Sequence, residues 1–155
     1  MSGRRLGSFA RADRGATMVE FALVAPLVIL LLVAALDLAR CLNAIVTVTN
    51  ASREGARYAT VHPDADPSGI AAVVAGRVLP LDASSLVVTT TYDAGSGFQP
   101  WLPGGIPASA GSPTAVTVRV DVAYPWHAAT WLVGSLFSAS GARTFGSSSQ
   151  MDTIR

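Results

Sequence analysis

From Phe21 to Leu36 the chain carries no charged or polar side chain, and the stretch reaches back to Ala16 with a single charged residue, the acid Glu20. A helix needs about 20 residues, at about 1.5 Å each, to cross a bilayer core of about 30 Å. The 21 positions from Ala16 to Leu36 meet that requirement. A core helix of a soluble domain normally keeps a polar stripe, and Val24 to Leu36 has none. The pattern therefore predicts a transmembrane helix over residues 16–40. Pro26 lies inside it and is expected to kink or loosen it locally, because proline removes one backbone donor and crowds the preceding turn.

Helical periodicity continues past the apolar run. Leu38, Leu42, Ile45, Thr49, Ser52, Ala56 and Ala59 recur at alternating spacings of four and three, which places them on one helix face. No proline follows Pro26 until Pro63. A helix unbroken from Ala16 to Thr60 spans about 68 Å, so about 30 Å of it should project beyond the membrane core. Its stripe turns from large to small residues on leaving the membrane, which would let a sheet or a second helix approach closely. Asp37 with Arg40, and Glu54 with Arg57, stand three apart and are expected to pair on the helix surface.

Downstream the period changes. Val61 to Pro67 reads as a turn, with Asp66 as N-cap and Pro67 at the first position of a short helix over 67–78. Val/Thr-rich residues 86–92 predict a strand. Residues 114–124 predict the clearest one: Val116, Val118, Val120, Val122 and Tyr124 face one way, Thr117, Arg119 and Asp121 the other, and Pro125 is expected to end it. Between these two strands, residues 93–113 hold five Gly and four Pro. They read as a long loop with Phe98 and Trp101 as anchors, either a contact surface or a flexible excursion. Residues 126–138 are apolar and aromatic but too short to span; packing on the sheet is preferred to a loop dipping toward lipid headgroups. Residues 142–153 could add a last strand. The fold class is thus an α+β membrane protein, a long transmembrane helix continuing outside the membrane and packing on a small antiparallel sheet. Its parts are a basic leader over 1–15, the span over 16–40 and an extracytoplasmic α+β domain over 41–155, which begins with the helix extension 41–60.

Charge orients the span. Residues 1–15 hold four arginines against Asp13, and residues 16–155 hold seven against nine acids. The excess of basic residues before the span places the N-terminus in the cytoplasm and the C-terminal domain across the membrane. A cleaved secretory signal has the same polarity, but this apolar run exceeds the usual h-region, and Leu36-Asp37-Leu38-Ala39 is a poor small-residue cleavage site. Net charge is +1, which argues for no nucleic-acid partner. Cys41 is the sole cysteine, so no internal disulfide forms. It serves either as a small apolar filler, the preferred reading, or as an intermolecular bridge at the outer membrane face. His62 and His127 stand apart from any ligand set, and no nucleophile elbow, zinc motif or phosphate loop occurs. The expectation is a protein without catalysis, cofactor or metal.

The residues around the span carry a resemblance. Arg14-Gly15-Ala16-Thr17-Met18-Val19-Glu20-Phe21 through Pro26, followed by Asp37-Leu38-Ala39-Arg40 and by Asn50 to Ala59, resembles the TadE-like minor pilins, or pseudopilins, of bacterial tight-adherence pilus systems. The basic leader ending in Gly15 is similar to prepilin-type leaders, which a membrane aspartyl peptidase cuts directly after the glycine. The resemblance implies cleavage between Gly15 and Ala16, and a role for Glu20, fifth in the mature chain, in registering subunits against a neighbour's free amine. Ala16 departs from the classical pilins, which often have an aromatic residue there; N-terminal methylation is therefore open. The implied partners are a prepilin peptidase, other pseudopilins, the major pilin and a secretion platform. The implied location is the inner membrane, with the domain periplasmic, or a surface pilus. The alternative is a signal-anchored extracytoplasmic binding module whose loop over 93–113 captures a ligand.

Overall fold

The computed structural model describes residues 9–107, 115–130, 134–135 and 142–154, with the backbone alone for 9–14 and 154. One helix dominates: α1, Phe9–Val61, 53 residues with Pro26 inside. It begins earlier than Ala16, since Phe9 to Arg14 contain no helix breaker and Gly15 is tolerated within a helix. The most apolar 18-residue window of α1 is entirely uncovered by the rest of the protein. Leu23, Leu27 and Leu31 are each more than 60% exposed. Such a helix has the length and composition to cross a membrane and fits a single-pass anchor near the N-terminus.

The outer half of α1 packs on one face of a four-stranded antiparallel sheet. The strands are β1 (Val87–Asp93), β2 (Gln99–Pro100), β3 (Ala115–His127) and β4 (Ala142–Ile154), in spatial order β2-β1-β3-β4. Val116, Val118, Val120 and Val122 of β3 are fully buried, so the valine alternation is the inner face of the sheet. They meet Val48, Ala51, Ala56 and Ala59 of α1 and Ile70, Val74 and Val78 around a second helix, α2 (Pro67–Arg77). The protein is thus α+β, with one long apolar helix laid against a small antiparallel sheet.

Three local expectations change. The covered face of α1 runs through Asp37, Cys41, Ala44, Val48, Ala51, Ser52, Gly55, Ala56 and Ala59. Ser52, Ala56 and Ala59 belong to the expected stripe, but Leu38, Leu42 and Ile45 are 50, 55 and 39% exposed. The sheet selects the small side chains one position away, because only they let a helix backbone lie close to a β surface. Gly55 marks the closest approach: a Cβ there would lie 2.6 Å from Val74 Cγ2 and 3.2 Å from Val120 Cγ1.

Pro125 does not end β3. The strand continues to His127, with Pro125 opposite Thr144 of β4. Pairing with β1 stops at Ala123, so Pro125 occupies a stretch paired on one side only, where a residue without an N–H is tolerated. Trp126 and His127 thereby belong to the sheet. The expected 126–138 segment is described only to Thr130 and at Gly134–Ser135, and its remainder lies outside the described residues.

Third, part of the 93–113 loop is built. Phe98 lies under the Arg119 guanidinium, 3.7 Å from its ring centroid, and Trp101 is buried, its Nε1–H donating to Ala65 O at 2.8 Å. The N–H of Gly104 donates to Asp66 Oδ1 at 2.7 Å and that of Ile106 to Pro63 O at 2.9 Å. Asp66 thus uses its side chain to hold this loop, while its carbonyl accepts the first helical bond of α2 from Ile70. Residues 108–113 lie outside the described residues.

Candidate functional site

Gly15, Ala16, Glu20 and Pro26 all lie exposed on the lower part of α1. A Cβ on Gly15 would meet nothing within 4 Å. Glycine inside a helix is about 1 kcal/mol less favourable than alanine, so Gly15 weakens the helix locally. Ala16 and Glu20 stand four apart and therefore on the same side, one turn from each other. The four positions form a linear arrangement along one rod and are not gathered into a pocket.

Asp37, at the upper end of the apolar run, is organised quite differently. Asp37 follows directly on the apolar run, and sequence spacing pairs it with Arg40 on the helix surface. The pair forms, with Arg40 Nη1 donating to Asp37 Oδ1 at 3.2 Å, but the carboxylate is buried and points inward. The backbone N–H of Ala129 donates to Oδ1 at 3.1 Å. The N–H and hydroxyl of Thr130 donate to Oδ2 at 2.9 and 2.7 Å. A carboxylate that accepts this many bonds offsets the cost of losing water. It is covered on contact yet lies at the thin lower rim of the domain, with few protein atoms beyond the first layer. Asp37 thus ties the segment after β3 to the helix just above the apolar run. Sequence reasoning missed this role; its one signal was an acid immediately after a membrane-length run, where a helix-surface pair is the nearest explanation.

Above that tie, Cys41 and Ala44 pack against Trp126, with Phe145 alongside. Burial pushes the Cys41 thiol up from its ordinary value, which makes it a poor thiolate and suits an apolar filler. Higher still, polar contacts lace β4 to the helix. Ser52 Oγ and Ser147 Oγ are 2.9 Å apart, and the Thr153 hydroxyl donates to Thr60 O at 2.9 Å. Glu54 accepts from Arg57 at 2.9 and 3.1 Å and from Arg77 of α2 at 3.2 Å. The hydrogen bonds from Arg57 lead in holding its carboxyl below the usual glutamate range, and the charges of Arg57 and Arg77 add to them.

The histidines stay apart. His62 stacks on Tyr58 at the end of α1, with Nδ1 3.1 Å from Tyr58 O, while His127 closes β3. Among the described residues no three His, Cys, Asp or Glu side chains gather as a metal set.

Residues 15–57 match the family model described as TadE-like protein. This is the family that the sequence resembles, and the match lies wholly within α1, from the glycine to the ion pair of Glu54 with Arg57. No curated protein and no solved structure matches the chain.

Proposed function

From the match of residues 15–57 to the TadE-like family model we propose that this chain is a minor pilin or pseudopilin of a bacterial tight-adherence (Flp-type) pilus assembly system. The observation that carries the reading is where the match begins: at Gly15, on an exposed helix that continues as a membrane-length apolar rod. In this reading a prepilin peptidase hydrolyses the peptide bond between Gly15 and Ala16, releasing the basic leader and leaving a free amine on Ala16. Glu20, one turn along on the same side, then offers a carboxylate to the amine of a neighbouring subunit. An unpaired acid inside an apolar helix costs about 2.5 to 3.5 kcal/mol at the bilayer centre on insertion scales. Pairing with an amine offsets that cost and rewards one axial register between subunits. The protein sits in the inner membrane with its N-terminus cytoplasmic and its domain periplasmic, and acts through contacts with other pseudopilins, the major pilin and the secretion platform. It has no catalysis of its own.

The test is co-expression of the full chain with its prepilin peptidase, followed by mass spectrometry of the N-terminus. Wild type should begin at Ala16, and Gly15→Val should keep the leader. Identical processing of both would refute cleavage at this bond. Glu20→Ala should be cut normally but reduce pilus output; unchanged output would favour the anchored binding module instead.

A further inference from the structure

The membrane-proximal rim of the domain contains a cleft that neither the processing site nor the helix–sheet core explains. Its volume is about 290 Å³, and Arg40, Asn43, Asp82, Tyr124, Trp126 and His127 are among the residues that line it. Its height along α1 follows from helix geometry. With Leu36 at the outer edge of the hydrocarbon, Arg40 stands about 6 Å and Asn43 about 10 Å above it at about 1.5 Å per residue. A leaflet's headgroup layer is about 5 to 8 Å deep, from the difference between the full bilayer and its core. Arg40 therefore stands within the headgroup layer and Asn43 just above it, so the cleft opens at the level of the lipid headgroups. Asp37, lower still, binds the segment at Ala129 and Thr130, so this rim of the domain reaches down to the bilayer surface.

The lining suits one kind of occupant. Arg40 and Asn43 are three apart on the helix and present a guanidinium and an amide to the same side, and the Arg40 side chain is 59% exposed. Opposite charge comes from Asp82, whose carboxylate is fixed by three bonds. The N–H and hydroxyl of Ser84 reach Oδ1 at 3.0 and 2.7 Å, and the Ser85 hydroxyl reaches Oδ2 at 3.0 Å. Tyr124 and Trp126 supply aromatic walls of the type found at membrane interfaces. We propose that this cleft binds the zwitterionic headgroup of a phospholipid bearing a primary amine, with the phosphate on Arg40 and Asn43 and the ammonium on Asp82. The occupant has one charge of each sign, as the cleft does, and the glycerol and acyl chains descend along the exposed apolar side chains of Leu36 and Leu32, one and two turns below Arg40 on the same side of the helix. The lipid would hold the domain at one height and one rotation above the membrane, independently of any subunit contact. The inference rests on α1 crossing the membrane.

The test uses the full chain in detergent micelles, with native mass spectrometry after addition of phosphatidylethanolamine, phosphatidylglycerol or diacylglycerol at equal concentration. One phosphatidylethanolamine should be retained, about tenfold more strongly than phosphatidylglycerol, and diacylglycerol should not be retained. Asp82→Asn should remove the preference for the amine lipid. Asn43→Leu should weaken retention of both phospholipids, and it leaves the Asp37–Arg40 pair in place. Inorganic phosphate is the competitor. Displacement of the lipid by millimolar phosphate would assign the cleft to a free anion and overturn the proposal. Equal retention of all three lipids, or an unchanged lipid preference in Asp82→Asn, would overturn it as well. Resistance of the chain to carbonate extraction from membranes reads the anchor separately.

Discussion

Replacing Asp37 by alanine should release the lower rim of the domain while leaving the sheet intact. The substitution removes the acceptor for two backbone N–H groups and one hydroxyl at Ala129 and Thr130, and the partner of Arg40. Hydrogen bonds to a charged group contribute about 1.5 to 3 kcal/mol each, so three bonds set a gross figure of about 5 to 9 kcal/mol. The thin surroundings of Asp37 let water reach the freed donors and recover much of that. A net local loss of about 2 to 4 kcal/mol is the better figure, in line with the cost of breaking a buried charge pair. It corresponds to about 30- to 1,000-fold faster exchange through local opening. Hydrogen exchange of the full chain in micelles should show this at the amides of Ala129 and Thr130, and at Gly134, whose N–H donates to Thr130 O. Amides of the β1–β3 ladder, such as Thr89 and Thr91, should keep their protection. Asp37→Asn retains one acceptor oxygen and should fall between wild type and alanine. Unchanged exchange at Ala129 and Thr130 in Asp37→Ala would refute the tie. A uniform loss across the whole sheet would show that the carboxylate supports the entire fold, which the reasoning denies.

Gly55→Val should lower the thermal midpoint of the domain through overpacking, at a cost of about 1 to 3 kcal/mol, because Val74 and Val120 already fill the space beyond Cα; a midpoint at or above wild type would refute the close approach. The Glu54 cluster should give a salt-sensitive pH dependence. Because the folded value lies below the ordinary one near 4.5, the pair stabilises the joint of α1 with α2 above that value, and the contribution is lost as pH falls through the lowered folded value. An NMR titration of the Glu54 carboxyl that places its midpoint at or above the ordinary value would contradict the contacts with Arg57 and Arg77.

The sequence made the anchor legible because a membrane imposes length and uniform hydrophobicity on a single contiguous run. β3 was legible for a similar reason: one buried face forces alternation, and Val116 to Val122 show it without exception. What pairs across long separations was not legible. Thr130 lies 93 positions from Asp37, in an apolar and aromatic run with no period of its own, so no local spacing could join them. The stripe on α1 slipped by one position near its base, because large apolar residues signal burial in most helices, whereas the sheet here accepts small ones and leaves Leu38, Leu42 and Ile45 outside. Pro125 was a fair stop signal in isolation. Only the early end of β1 pairing explains why β3 runs past it. The positions of the proposed processing site were legible only through resemblance, since Gly15, Ala16 and Glu20 form no pocket or contact from which chemistry could be inferred.

The lacing of β4 onto α1 carries a consequence for the order of events during synthesis. Ser147 and Thr153 reach the helix across 95 and 93 positions of sequence, so α1 is complete long before its last partner strand exists. At about 5 to 20 residues per second, the small-residue face around Ser52 to Thr60 waits about 5 to 20 s without β4. During that interval α2 and β3, which are made earlier, can already cover Gly55, Ala56 and Ala59, and arrival of β4 adds the bonds at Ser52 and Thr60. The C-terminal strand is therefore the last piece of cover on α1: the helix and its apolar contacts can be set first, and the polar lacing at Ser52 and Thr60 is complete only when the final residues have been made.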